Sequence, residues 1–100
     1  MGSGVSRVIC GAVSGTGSLQ EVRTVGFRPR RVEVFNVHAS GLTSGSWQET
    51  MADGYMRKMV PAGTTTYAAD GITPLSDGFS IGADADLNAD GETIHWTAFE

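Results

Sequence analysis

The sequence predicts an all-β domain, an antiparallel β-sandwich of about seven or eight short strands, for which a jelly roll is one fitting topology. Three observations carry this. Apolar and polar residues alternate with period two, most clearly in the closing run Thr93-Ile94-His95-Trp96-Thr97-Ala98-Phe99, where Ile94, Trp96 and Ala98 share one face. Turn signals recur at a spacing of roughly eight to twelve residues, as small sandwiches require. Fourteen glycines, with many serines and threonines, accompany no run of good helix formers. The 100 residues read as one domain, 1–100, with a short N-terminal arm over about residues 1–18. Such a chain buries roughly 60–70 per cent of its unfolded surface, enough for one modest core.

Each element follows from local chemistry. Residues 5–13 can form a first strand, and Ser14-Gly15-Thr16-Gly17-Ser18 is a turn cluster. Residues 19–25 alternate poorly and carry charge, which suits an edge strand. In Gly26-Phe27-Arg28-Pro29-Arg30-Arg31, Pro29 fixes its own φ and extends Arg28, giving a stiff lead into Val32, Val34, Phe35 and Val37, the best central-strand candidate. Residues 38–46, rich in Ser and Gly, read as loop, and Trp47-Gln48-Glu49-Thr50 as a short strand. Ala52-Asp53-Gly54 is a hairpin-type turn into residues 55–60, where Tyr55, Arg57 and Met59 oppose Met56, Lys58 and Val60. Residues 64–69 are extended, Asp70-Gly71 turns the chain, and Asp77-Gly78 delivers it to the strand at Phe79 and Ile81.

Charge and cysteine usage narrow the function. The net charge of −4 argues against nucleic acid as the main partner, since such binding needs a basic face. Five arginines against three glutamates fill the first fifty residues, while Arg57 and Lys58 face eight acidic residues in the last fifty. A basic end and an acidic end can orient a domain on another protein. No run spans a membrane, and Met1-Gly2-Ser3-Gly4 has no signal-peptide character, so the expectation is synthesis and folding in cytoplasm. Cys10 closes no intrachain disulfide and, within Val8-Ile9-Cys10-Gly11-Ala12-Val13, is expected to be a buried, inert thiol.

The densest set of ligand atoms lies in residues 83–92. Asp86, Asn88 and Asp90 before Gly91 match the first half of an EF-hand calcium loop, and Asp84 adds an oxygen. The second half fails, because the bidentate glutamate position falls on Thr97 in a strand. The favoured reading is a polar loop whose Asp and Asn side chains cap their own backbone, with no cofactor and Ca²⁺ as the alternative. His38 and His95 have no zinc spacing, and there is no Gly-x-Ser-x-Gly elbow, phosphate loop or His-Glu-x-x-His helix. The expectation is a non-enzyme. Among the aromatics, Trp96 is the core candidate and Trp47, beside the glycine-rich stretch, the candidate for an exposed ligand-binding ring.

Gly26-Phe27-Arg28-Pro29 leading into Val32-Glu33-Val34, then Asp77-Gly78-Phe79-Ser80-Ile81-Gly82, then Asn88-Ala89-Asp90-Gly91-Glu92-Thr93, then Trp96-Thr97-Ala98-Phe99 resemble, in order and spacing over about residues 20–100, a module of tailed-phage virion proteins. The resemblance implies a non-enzymatic β-sandwich on the bacteriophage particle. A chain of this size without coiled-coil or collagen-like shaft fits a capsid decoration or cement protein, with the major capsid protein and further copies of itself, as a trimer or other homo-oligomer, for partners. Val5, Arg7, Val8, Arg28, Arg30 and Arg31 are the expected contacts. The alternative is a tail or head-fibre module that binds host glycan through Trp47.

Overall fold

The computed structural model describes residues 7–38 and 41–100. They form eight strands and no helix: β1 (Val8–Ser14), β2 (Gln20–Val22), β3 (Arg31–His38), β4 (Gly41–Gln48), β5 (Tyr55–Met59), β6 (Thr65–Leu75), β7 (Gly78–Ile81) and β8 (Thr93–Phe99). All pair antiparallel in one sheet of order β1-β8-β3-β4-β5-β6-β7-β2. The all-β antiparallel expectation holds. In place of two separate hydrogen-bonded sheets, a single sheet curls over its own core. Its five middle strands run as a meander, without the crossed connections of a jelly roll.

Register sorts the side chains into two faces, because directly paired residues share a face and alternate along each strand. Gly11, Trp96, Val34, Gly45, Lys58 and Thr66 form one row on the inner face. Ala12, His95, Phe35, Ser44, Met59 and Thr65 form the next row, on the outer face. One hydrophobic cluster fills the inside, with Val32, Met56, Ile72, Phe79, Ile81, Leu87, Ile94 and Ala98 wholly buried. Phe79 meets Trp96 edge-on, ring centres 5.5 Å apart. Since β7 and β8 are not sheet neighbours, that contact ties the two halves of the curl together.

Two expected breaks are strand interior. The stretch expected as loop contains β4, which pairs with β3 from Gln48 to Gly41. Gly45 answers a packing demand: a Cβ there would stand 2.5 Å from Met56 Sδ and 3.1 Å from Leu87 Cδ2. Asp70-Gly71, expected as a turn, is a bulge inside β6. Asp70 does adopt the left-handed conformation a turn would use (φ 55). The register slips there, so that residues before it pair with β5 and residues after it chiefly with β7.

The two edges differ. β2 is an edge strand, as expected of the charged stretch, but only three residues of it pair, and Arg23 bridges Glu21 at 3.0 Å and Asp77 at 2.6 Å beside it. β1 is longer and carries no charged side chain. Cys10 on β1 is exposed, against the expected burial, because an edge strand covers its apolar run from one side only.

Candidate functional site

The acidic loop folds inward. Leu87 is wholly buried, and so is Asn88. Asn88 Oδ1 accepts from Thr16 N at 3.1 Å and Gln20 Nε2 at 2.8 Å, while its Nδ2 donates to Ser18 O at 2.7 Å and Gly82 O at 2.9 Å. The amide thus clamps the β1–β2 connection to the end of β7. Asp84 does what a loop aspartate was expected to do: its Oδ1 accepts from the backbone N–H of Asp86 and of Leu87, each at 2.9 Å. Asn36 on β3, also buried, donates to Asp86 O at 3.1 Å and Glu92 Oε1 at 2.7 Å.

The cation at this loop comes from the chain. Lys58 Nζ sits 2.9 Å from both Asp84 Oδ2 and Asp86 Oδ2. The side chains of Lys58 and Asp84 are only 14% and 10% exposed. Of the four oxygen-bearing residues expected from spacing, Asp84 and Asp86 converge on Lys58, Asn88 turns into the core, and Asp90 stands exposed. A divalent ion at the two carboxylates would have to displace an ammonium. Among the described residues no three His, Cys, Asp or Glu side chains gather to hold a metal. Lys58 and Asn36 were missed from sequence; a lysine sharing the Met56 face was the available signal.

Burial alone would push the Asp84 carboxyl up, but Lys58 and the two backbone N–H donors outweigh it and hold it below its ordinary 3.8. Burial would likewise push Lys58 down, but Asp84 and Asp86 outweigh it and raise the ammonium above 10.5. The depressed Asp84 contributes stability that is present above pH 3.8 and lost as pH falls through its lower folded value. The raised Lys58 contributes stability present below pH 10.5 and lost above its folded value. Lys58→Met is expected to cost roughly 1–3 kcal/mol near neutral pH, leaving Asp84 enclosed and unpaired. Urea midpoints measured from about pH 2 to 7 should show the variant with a shallower acid-side slope than the parent, since the Asp84 share is lost while that of Glu100 remains.

The outer face is the other feature. Phe35 stacks on His95 with centres 5.0 Å apart, and Tyr55 on Tyr67 at 4.9 Å. Val37, Leu42, Met59 and Tyr67 are 59%, 46%, 43% and 58% exposed. A groove of about 200 Å³ runs between Phe35, Ser44, Met59 and Arg57. A second, of about 370 Å³ and lined by Arg31, Gln48 and Met51, meets it at Ser46 and Arg57. Among the described residues Arg57 has no carboxylate partner.

Trp47 requires a correction. It is 3% exposed, on the inner face, with Nε1 donating to Ala52 O at 3.2 Å. Strand β4 carries it into the core, so the exposed rings are Phe35, Tyr55 and Tyr67. Several expected contact residues do converge at one end of the sheet. Val8, Phe99, Arg31 and Gln48 form a single outer row, Arg31 lies over the Phe99 ring, and Arg7 pairs with Glu100 at 2.6 Å. Arg30 N donates to Phe99 O, and its guanidinium lies 3.7 Å from Glu49. Arg31 pairs with Glu33. Arg28 points elsewhere, toward Pro74 O. Val5 lies outside the described residues. No family model, curated protein or solved structure matches this chain.

Proposed function

We propose that this chain is a structural protein of a tailed-phage virion, a capsid decoration or cement protein that binds the outer shell and stabilises it. The observation that carries the reading is the outer face. It spans six strands, exposes Phe35, Val37, Leu42, Tyr55, Met59 and Tyr67 among polar residues such as Glu33, Ser44, Ser46 and Arg57, and ends in the row of Val8, Phe99 and Arg31. Exposed apolar patches of that kind serve protein contacts. The motifs that resemble virion proteins also occupy the joints of the fold: the lead into β3, the β6–β7 turn, the Asn88 clamp and the closing strand β8. The partners are the major capsid protein and further copies of this chain, and the location is the virion. Each bound copy would stabilise the shell by mass action, about 2.7 kcal/mol per site at a hundredfold excess over Kd.

Arg30 and Arg31, at the Phe99 end of the sheet, would contribute contacts by exchanging weak internal pairs for pairs with the shell, and Arg28 by turning from Pro74 O. Exposed ion pairs are worth only about 0–1 kcal/mol, so the exchange costs little. Replacing Arg28, Arg30 and Arg31 together by Ser is expected to weaken particle binding about tenfold or more. Quantitative mass spectrometry of purified particles measures this as occupancy relative to the major capsid protein, and unchanged occupancy counts against the reading. The same measurement on the parent is expected to give copies in fixed ratio to the capsid protein. A few copies per particle would favour a second reading, a glycan-binding host-recognition module. The exposed Tyr55–Tyr67 stack beside Arg57, and not Trp47, supports that alternative.

A further inference from the structure

We infer that β1 is a self-pairing edge: two copies of this chain join antiparallel, β1 to β1, across a two-fold axis centred on Cys10.

The backbone ladder shows which groups are free. Glu100 N donates to Arg7 O at one end of the β1–β8 pair, and Gly15 N donates to Glu92 O at the other. Hydrogen-bonded pairs alternate in an antiparallel ladder, so the odd-numbered residues of β1 face β8. The N–H and C=O groups of Val8, Cys10, Ala12 and Ser14 therefore point away from the sheet. Gln20 Nε2 already donates to Ser14 O at 3.0 Å, which confirms the direction and occupies that carbonyl. Val8, Cys10 and Ala12 remain as an open run at the end of the strand order.

The occupant follows from what lines that run. A pairing centred on Cys10 sets Val8 opposite Ala12 and Ala12 opposite Val8, so every outward backbone group of the three residues finds a partner. On the inner face the same register sets Ile9 opposite Gly11, large against small in both directions. No charged side chain occurs in β1, so two copies oppose no like charges across the axis. Val8 and Ile9 are 56% and 37% exposed in the single chain and would be covered. The opposite edge has the usual defences, a three-residue strand with Glu21 in it and Arg23 and Asp77 beside it, whereas β1 runs seven residues with no charge within the strand. Isologous pairing of this kind closes at two copies and joins two sheets into one.

The inference stands on β1 and is independent of the virion reading; a failed particle-binding experiment leaves it intact. Sedimentation equilibrium of the whole chain should give a dimer. Ala12→Pro removes an outward N–H without touching the β1–β8 ladder, and Ala12→Lys places charge on the same row. Either is expected to weaken dimerisation about tenfold or more. The thermal melt should match that of the parent at concentrations where the parent is monomeric. In the dimer the two Cys10 Cα atoms lie about 5.5 Å apart, within disulfide reach. Copper-phenanthroline oxidation should then trap a covalent dimer, while Cys10→Ser dimerises without trapping. A parent that stays monomeric at millimolar concentration, roughly −4 kcal/mol of affinity, overturns the inference and leaves the edge to a strand from another protein. A dimer indifferent to both Ala12 variants and untrapped by oxidation also overturns it, placing the contact on another face.

Discussion

Asn88→Ala is expected to destabilise the chain by roughly 3–6 kcal/mol. The side chain is wholly buried and uses all its capacity, two acceptor and two donor bonds, on three separate segments. Removing it strands the buried Gly82 carbonyl and takes a part-buried partner from Thr16 N, Gln20 Nε2 and Ser18 O, the last of which keeps Thr16 Oγ1. The one buried orphan costs about 1–3 kcal/mol and each lost part-buried hydrogen bond about 0.5–1.5 kcal/mol, reduced where water enters the space. Asn88→Asp should be comparably damaging at neutral pH, since a carboxylate facing two carbonyls has no proton to give. Urea denaturation measures the change as a lower midpoint with an unchanged slope. A change below about 1 kcal/mol, the size of one ordinary hydrogen bond, would show that the loop is not clamped through this residue.

Asn88 also shows where the sequence was legible and where it was not. The alternating strand β8, the apolar run of β3, the place of β5 after its turn and the core position of Trp96 follow from period and composition alone. Glycine and serine misled in the middle of the chain. At Gly45, inside β4, glycine means lack of space beneath Met56 and Leu87, not a turn, and that distinction needs the partner strand. Trp47 was drawn outward by the same misreading, since a residue beside a loop is free to point anywhere whereas the end of β4 is not. Asp70-Gly71 gave the right backbone demand and the wrong consequence, because a bulge and a turn use the same left-handed residue. The polar loop was legible as self-capping, yet its clamp was not. A buried asparagine and an exposed one have the same local sequence, and only contacts spanning some seventy residues separate them. Cys10 failed for the complementary reason. An apolar run predicts burial only when the strand has neighbours on both sides.

The open ends of the curl make the core contact between Phe79 and Trp96 the second large effect. Phe79→Ala is expected to cost about 3–5 kcal/mol, the range for deleting a buried aromatic ring. For a domain of this size that corresponds to a fall in Tm of the order of 15–30 °C. The cost should sit at the upper end of the range, because the ring contributes more than its own volume. Strands β7 and β8 have β3, β4, β5 and β6 between them in the hydrogen-bonded order, so no ladder links the two ends directly. Besides the Asn88 clamp, what holds the curl shut is apolar contact across its interior, with Phe79 edge-on to Trp96 at 70°. An edge-to-face pair adds about 0.5–1.5 kcal/mol beyond burial, and a double-mutant cycle with Trp96→Leu should return a coupling of that size. Phe35→Ala is the matched control. That ring also stacks on a β8 side chain, His95, but on the outer face, 37% exposed, and its loss should change stability by less than about 1 kcal/mol. If the two phenylalanine variants melted alike, the inner and outer faces assigned by register would not be the ones that carry the fold. If they differ as expected, the sheet keeps its stability on one side and is free to use the aromatic surface of the other for contact.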